Sequence, residues 1–586
     1  MERLKNHFLL LLIFFGKKIC STHHFGFGAD RIGSFRGHGS LQYLSDSDPI
    51  DPLVQERSFE GAVVDNFAPV SEQSNWSQRY FVNDRFCTPD CQKSTIFLYI
   101  GGEGPESPKH LSESMFMYDL ARTHSALMLS LEHRFYGKSY PTENMSNKNL
   151  KYLSSAQALA DLARFIPYIR DSYEIDSSSK LITFGGSYPG SLSAWARLKY
   201  PHLIDGAVAS SAPILIQLDF PEYMDVCDKA LREFGGDQCA AAMEEGANAL
   251  KYLIVGNSTL VEAVASDFNV CTAFNSTDDF WVFATNVMGD IQGTVQYNRQ
   301  KADALNVTDV CEILSGSQGG QLNENEGTKF LTSAEAAIAY SNLVELNRKF
   351  REASNNTCLE SNWDKSFLEL SNATFDGEKA GRQWTYQTCN EFGYFQTADS
   401  SVQPFKSFGD IVDVDSFLKL CKDIYEIEGL PQIDFINDYY GAFDIRAHRV
   451  AFPSGSLDPW SALSISDKTK LEITDQTAVF IPGTAHCQDM HSGDPTLHTP
   501  ELDAAKNKIA SLVALWIATD EASVKSYKTS NVFNAGQITA IALCCLFIGA
   551  LLAATFNALS AKRKLRKRLE LTRSRRSLRE PLIGEL

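Results

Sequence analysis

A serine placed after two glycines, a histidine and an aspartate stand in this chain where nucleophilic acyl chemistry would need them. Ser187 lies in Leu181-Ile-Thr-Phe-Gly-Gly-Ser-Tyr-Pro-Gly190, an apolar strand that ends in two glycines ahead of the helix-like run Ser191-Leu-Ser-Ala-Trp-Ala-Arg-Leu-Lys-Tyr200. A serine hydroxyl is a weak nucleophile until a base takes its proton and N–H donors hold the developing oxyanion. A strained strand-turn-helix elbow exposes it to both. The G-x-S-x-G spacing is broken, because Pro189 occupies the last glycine position and Gly190 comes one residue late. Proline is tolerated there if it falls in the first helical turn, where its missing N–H is not needed. Taken alone, the segment reads equally as a nucleophile and as a Gly-Ser turn.

A serine of this kind requires a histidine base and an orienting carboxylate, which in an α/β-hydrolase topology follow in the order Ser, Asp, His on loops after later strands. Strand-like His448-Arg-Val-Ala-Phe452 is followed by Pro453-Ser-Gly-Ser-Leu-Asp458-Pro-Trp460. Thr477-Ala-Val-Phe-Ile481 is followed by Pro482-Gly-Thr-Ala-His486-Cys-Gln-Asp489. Asp458 would hold the His486 tautomer and His486 would deprotonate Ser187, with Asp489 a competing acid. The oxyanion donors are expected from the Tyr188 N–H and from the backbone of Gly101-Gly-Glu-Gly-Pro105, at Gly102 and Glu103.

These residues need a scaffold, and the strand texture provides one. Apolar runs at Ser94–Ile100, Ala126–Leu131, Leu181–Phe184 and Gly206–Ser210 alternate with helical stretches such as Ser155–Tyr168, which predicts a parallel sheet covered on both faces. From 217 to 445 the rhythm gives way to helical stretches (Tyr223–Phe234, Asp237–Ile254, Ser333–Phe350) with five of seven N-glycosylation sequons. The expected organisation is a signal peptide at 1–20, a leader at 21–55, the first hydrolase part at 56–216, a helical, disulfide-stapled cap at 217–445 and the second hydrolase part at 446–525.

Residues 538–559 hold 22 positions without a charge, long enough for a transmembrane helix, and a basic cytoplasmic tail at 560–586 follows. The tail carries ten Lys/Arg against three Glu, so the formal net charge of −18 becomes about −25 ahead of it. Positive charge stays cytoplasmic, which predicts a type I single-pass protein with a lumenal or extracellular bulk. Strong acidity excludes nucleic acid as a partner. The sequons at Asn75, Asn144, Asn257, Asn275, Asn306, Asn355 and Asn372 all precede the span. Ten cysteines in an exported segment without a C-x-x-C pair favour disulfides over metal ligation. Cys87/Cys91 and Cys227/Cys239 are the nearest local pairs; no metal or cofactor is expected.

In several longer motifs the chain resembles the serine peptidase family that includes lysosomal Pro-Xaa carboxypeptidase, dipeptidyl peptidase II and thymus-specific serine protease. They are Trp76-Ser-Gln-Arg-Tyr-Phe81, Phe97 to Pro105, Glu132-His-Arg-Phe-Tyr-Gly-Lys-Ser139, Gln157-Ala-Leu-Ala-Asp161, Gly185-Gly-Ser-Tyr188, Trp384 to Tyr394 and Gly455-Ser-Leu-Asp-Pro-Trp460. The histidine loop Gly483-Thr-Ala-His-Cys-Gln-Asp-Met490 is similar to that of the thymus-specific branch. The resemblance implies an α/β-hydrolase with the triad Ser187, Asp458 and His486, and exopeptidase action on peptides near proline or small apolar residues. Pro189 and Ser454 depart from the glycine and asparagine of many members. Trp384, Tyr394 and Trp460 offer an apolar substrate wall and Glu391 an anchor for a substrate amine, or else a buried structural carboxylate; Arg134 reads as structural. A homodimer is a further possible assembly. The competing functions are a lipase or esterase on the same fold, and a surface binding protein with a silent site.

Overall fold

Runs such as Ile96–Ile100 and Leu127–Leu131 are buried at every position, so layers must cover both faces of the sheet they form. A computed structural model describes residues 49–519 apart from 88, 301–303, 317–324, 468, 470, 472, 474 and 493–497. The signal segment, the span expected at 538–559 and the basic tail lie outside the described residues. Among the described residues no helix is long and apolar enough to cross a membrane.

The strands are β1 (Gln55–Val63), β2 (Asn75–Asn83), β3 (Ile96–Ile100), β4 (Leu127–Leu131), β5 (Leu181–Gly186), β6 (Gly206–Ser210), β7 (Gln217–Asp219), β8 (Gly393–Phe395), β9 (Val450–Gly455) and β10 (Gln476–Ile481). Eight of them form one sheet in the order β1-β2-β4-β3-β5-β6-β9-β10, while β7 and β8 pair separately. β1 and β2 form an antiparallel edge that the strand texture did not announce, and everything from β4 to β10 runs parallel. This is the sheet of an α/β-hydrolase, with its loops after β3, β5, β9 and β10 on one edge. The chain is tied to it from Asp51 onward, four residues before the expected end of the leader, through Arg85 Nε at 2.6 Å and the Tyr118 hydroxyl at 3.0 Å.

The helices that matter below are α1 (Phe116–His124), α2 (Ser155–Ser172), α3 (Tyr188–Lys199), α4 (Glu222–Ile254), α5 (Thr277–Gln296), α6 (Val307–Leu314), α7 (Ala334–Ala353), α8 (Gly381–Gln387), α9 (Val414–Tyr425), α10 (Ile433–Tyr440) and α11 (Pro500–Ala518). Those from α4 to α10 lie between β6 and β9 in the chain. The two stretches expected at 223–234 and 237–254 are one helix, α4, kinked at Gly236, whose φ of 69° suits a residue without a Cβ. Strand β9 runs through Pro453, which pairs with Val479 of β10 and accepts the Ser211 N–H at 2.7 Å. The sequon asparagines 75, 257, 275, 355 and 372 are exposed, and 144 and 306 are partly so.

Among the described residues there are four disulfides: Cys87–Cys91, as the spacing suggested, and Cys239–Cys311, Cys271–Cys358 and Cys389–Cys421. The proposed Cys227/Cys239 pair is wrong. Both residues lie on α4, on opposite sides of its kink at Gly236, and Cys227 is left unbridged. Cys239 instead meets Cys311 across the α4–α6 contact, and the missing Cβ of Gly235 leaves room for the Cys311 sulfur. Cys227 and Cys487 are free and buried.

Replacing Cys239 and Cys311 together by Ala should lower unfolding stability by roughly 2–4 kcal/mol, since the bridge closes a loop with a sequence separation of 72. Denaturant titration of the two proteins checks this, and equal midpoints would contradict it.

Candidate active site

Ser187 sits between β5 and α3 with φ 63° and ψ −134°, a conformation that costs a non-glycine residue about 1–3 kcal/mol. Its backbone is held from both sides: its N–H donates to Ser210 O at 2.9 Å, and the Ser191 N–H donates to its carbonyl at 3.1 Å. Gly190 is needed because a Cβ there would lie 2.6 Å from the Ser210 carbonyl. Pro189 falls in the first turn of α3, and its ring fills the space a side chain at Gly102 would take. The broken elbow pattern thus has a local reason: the proline packs on the glycine-rich loop. Ser187 is partly exposed while the residues on either side are buried.

Asp458 follows β9 and is fully buried. Its Oδ1 accepts the Trp460 N–H at 3.0 Å and faces His486 Nδ1 at 2.8 Å. A carboxylate there assigns the proton to Nδ1 and leaves Nε2 as the basic nitrogen. Burial disfavours the imidazolium, but the Asp458 carboxylate, with the Cys487 thiol, outweighs it, and the net shift is well above the ordinary histidine range. Asp489, the competing acid, binds the Ser210 hydroxyl at 2.5 Å instead, and burial pushes its carboxyl up to about 6.

The histidine loop is pinned on two sides. From the sheet, the Cys487 N–H donates to Ser211 Oγ at 2.9 Å, and a Cβ on Gly186 would meet the Cys487 sulfur. From the end of α5, the His486 N–H donates to Gln296 O at 3.0 Å, and Gln300 Nε2 donates to His486 O at 2.8 Å. Ser210 and Ser211 therefore join the elbow, the histidine loop and β9. No sequence motif marks these two serines, and the reading of the chain missed them; they look like the end of an ordinary strand.

Tyr188 N–H belongs to the first turn of α3, where backbone donors lack an intrahelical acceptor. The Tyr188 side chain is fixed by a directed chain of hydrogen bonds. His133 Nδ1 donates to Arg134 O at 2.8 Å, so its Nε2 accepts the Tyr188 hydroxyl at 3.1 Å; burial pushes this histidine down to about 3 and keeps it neutral. Gln387 Nε2 of α8 donates to the same hydroxyl at 3.1 Å, and the Tyr136 hydroxyl donates to Gln387 Oε1 at 2.6 Å. Arg134 is paired with Asp161 at 2.6 Å and is structural. Glu103 is buried, and burial pushes its carboxyl up to about 8.

Aromatic side chains continue from the elbow to the aspartate loop. Tyr188 meets Trp384 and Phe392, Phe392 meets Tyr394, and Tyr394 meets Trp460, with ring centroids 5.2–5.8 Å apart. Pairing of β7 with β8 sets Tyr394 in this row. Glu391 is not in the wall. Its carboxylate accepts the Ser155 N–H at 2.9 Å and the Ser155 hydroxyl at 2.9 Å at the start of α2, and burial pushes it up to about 7. Of its two readings, the structural carboxylate is the one that these contacts describe.

With this geometry in view, a sequence profile described as "Serine carboxypeptidase S28" matches residues 62–509. The chain is 33% identical to the thymus-specific serine protease of Mus musculus over 454 residues, covering 76% of this chain and 85% of that protein. It is 32% identical to the Homo sapiens protein of that name, covering 76% and 84%. Lysosomal Pro-X carboxypeptidase of Bos taurus is more distant, at 27% identity covering 72% and 80%.

An acid with a higher pKa in the folded than in the unfolded chain adds stability at low pH and loses that contribution as pH rises from the ordinary 4.5 to about 7. Glu391→Gln should therefore flatten the decline of melting temperature across that interval. Parallel slopes for the two proteins would assign the decline elsewhere.

Proposed function

This chain belongs to the serine carboxypeptidase S28 family, and from that premise we propose a membrane-anchored serine exopeptidase that works through an acyl-enzyme on Ser187. His486 Nε2 takes the Ser187 proton as the hydroxyl oxygen attacks the scissile carbonyl, and Asp458 stabilises the imidazolium that results. The Tyr188 N–H, together with the backbone of Gly102 and Glu103, holds the oxyanion. His486 then hands the proton to the leaving amine, and water, deprotonated by the same imidazole, releases the acyl group. The observation that carries this reading is the buried His486–Asp458 contact at 2.8 Å, on loops tied to the same strand end that holds the elbow.

Substrates are peptides cleaved next to proline or a small apolar residue, a class supported by the name of the Pro-X relative and by the row from Tyr188 to Trp460. Trp384, Tyr394 and Trp460 line the substrate side chains. The helical insertion at 217–445 acts as a cap that sets specificity. The apolar residues 538–559 and the basic tail make the protein type I, with the catalytic part in the lumen of the endolysosomal or vacuolar system or outside the cell. Glycans on the seven sequons fit that topology.

Profiling the full-length protein in detergent on peptides with free and blocked termini tests the reading. Peptide cleavage should vanish in Ser187→Ala, and turnover of esters alone would point to an esterase. Asp458→Asn should lower kcat about 10⁴-fold, because the amide no longer enforces the tautomer. It should also move the acid limb of the pH profile downward, since the carboxylate is what raises His486; an unmoved limb would exclude the pair as the titrating unit.

A further inference from the structure

The oxyanion donors come from two separate segments, the glycine-rich loop after β3 and Tyr188 at the head of α3. One buried carboxylate outside the triad reaches the support of both. Glu132 stands at the end of β4 and is fully buried. Its Oε1 accepts the Glu106 N–H at 2.9 Å and Arg79 Nη2, and its Oε2 accepts Arg79 Nε at 3.1 Å, the Lys138 N–H at 3.0 Å and the Ser139 hydroxyl at 2.7 Å. Burial pushes the carboxyl up, and the Arg79 guanidinium and the other donors work against this.

The first segment is pinned at both ends. At its start the Gly101 N–H donates to Leu131 O at 2.9 Å. At its far end Glu106 is held through its N–H by Glu132 and through its carbonyl by Arg79 Nη2 at 3.2 Å. Between these anchors Gly102 lies against the Pro189 ring, so the loop is set between the end of β4 and the elbow. The second segment is reached through the turn that follows Glu132. Lys138 and Ser139 bind the carboxylate, the Ser139 N–H donates to Tyr136 O at 3.0 Å, and the Phe135 N–H donates to Ser139 O at 2.7 Å. That turn carries His133, whose Nε2 accepts the Tyr188 hydroxyl, and Tyr136, whose hydroxyl donates to Gln387. Gly137 in the same turn has φ 55°, and a Cβ there would overlap Glu132 Oε1, so the turn is wrapped closely around the carboxylate.

We propose that Glu132 is a positioning residue for the oxyanion hole, whose carboxylate, paired with Arg79, fixes the glycine-rich loop relative to Tyr188. The inference rests on the acyl-enzyme reading of Ser187. Glu132 acts through the segments it holds rather than on the substrate. Oxyanion donors work by being in place before charge develops, and a displacement of about 1 Å can cost about 10²-fold in rate. Such a loss falls on kcat, because the tetrahedral oxyanion depends on these donors more than the ground-state carbonyl does. A carboxylate suits the task because both oxygens only accept, and they can bind backbone N–H groups from two segments together with the guanidinium fork. An amide in its place would turn an NH₂ toward one of those donors.

The test uses the full-length protein in detergent, with the peptide that wild type cleaves best and the aldehyde bearing the same acyl residues. The Ser187 oxygen adds to the aldehyde carbon, and the former carbonyl oxygen takes the place of the oxyanion. Glu132→Gln should lower kcat about 10²-fold and weaken aldehyde inhibition by a comparable factor, with KM held within about threefold. Rates are expressed per active site, counted by fluorophosphonate labelling of Ser187 carried to completion. Arg79→Lys, which keeps the charge but loses the fork, should move kcat and aldehyde affinity in the same direction. If Glu132→Gln does not fold, Ser139→Ala decides: it keeps the ion pair, removes one hydrogen bond to the carboxylate, and should lower kcat and aldehyde affinity together by about fivefold. Wild-type kcat per labelled site, with the loss confined to melting temperature or to the number of sites, overturns the assignment and leaves Glu132 as a stabilising residue. A fall in kcat with unchanged aldehyde inhibition overturns it as well. Peptide cleavage by Ser187→Ala overturns the underlying serine mechanism instead, so the two failures are distinct.

Discussion

Four hydrogen bonds at the C-terminal end of β6 hold the site together. Ser210 O accepts the elbow N–H, Ser210 Oγ donates to Asp489, Ser211 Oγ accepts the Cys487 N–H, and the Ser211 N–H donates to Pro453 of β9. Ser211 has φ 47°, so the strand turns sharply there and aims successive backbone groups in different directions. Each bond is worth only about 1 kcal/mol net. Together they oppose the strain at Ser187 and bring three chain segments, the elbow at 187, β9 at 453 and the histidine loop at 487–489, to one corner. Hydroxyls of short, buried serines suit this task because they lose little conformational freedom and both donate and accept.

Around that corner the protein separates charged from neutral acids by what stands next to them. Glu132 and Asp161 face arginines and form buried ion pairs that fix the approach to the glycine-rich loop and α2. Asp458 faces an imidazole, and its negative charge is what draws a proton onto that ring. Among the described residues no arginine or lysine pairs with Glu391 or Glu103, and burial favours their protonated forms. A protonated acid can donate where a carboxylate can only accept.

The helices between β6 and β9 do more than cover the sheet. Gln296 at the end of α5 and Gln300 in the turn that follows hold the backbone of His486, and Gln387 of α8 holds the hydroxyl of Tyr188. Displacement of this layer would therefore disturb the base and the elbow together. The Cys239–Cys311 and Cys389–Cys421 bridges limit such movement by tying α4 to α6 and the segment after α8 to α9.

Much of this was legible in the residues themselves. Apolar runs such as Phe97-Leu-Tyr-Ile100 mark buried parallel strands because a strand covered on both faces has no polar side. Ser187, Asp458 and His486 stand out because acyl chemistry requires those types in that order after strands, and long motifs identify the family. Local sequence left Asp489, three residues after His486, as a rival to Asp458, and only the turn after β10 sends it to Ser210. Nor did it disclose the partner of Cys239, because spacing along the chain says nothing about which helix packs across α4. The roles of Ser210 and Ser211 were likewise hidden: hydrogen bonding belongs to neighbours brought from distant segments. Residue type and periodicity are properties of the chain and determined the fold class, the family and the reactive groups. Pairing, protonation and orientation depend on what lies within a few ångströms, and only the folded arrangement decides that.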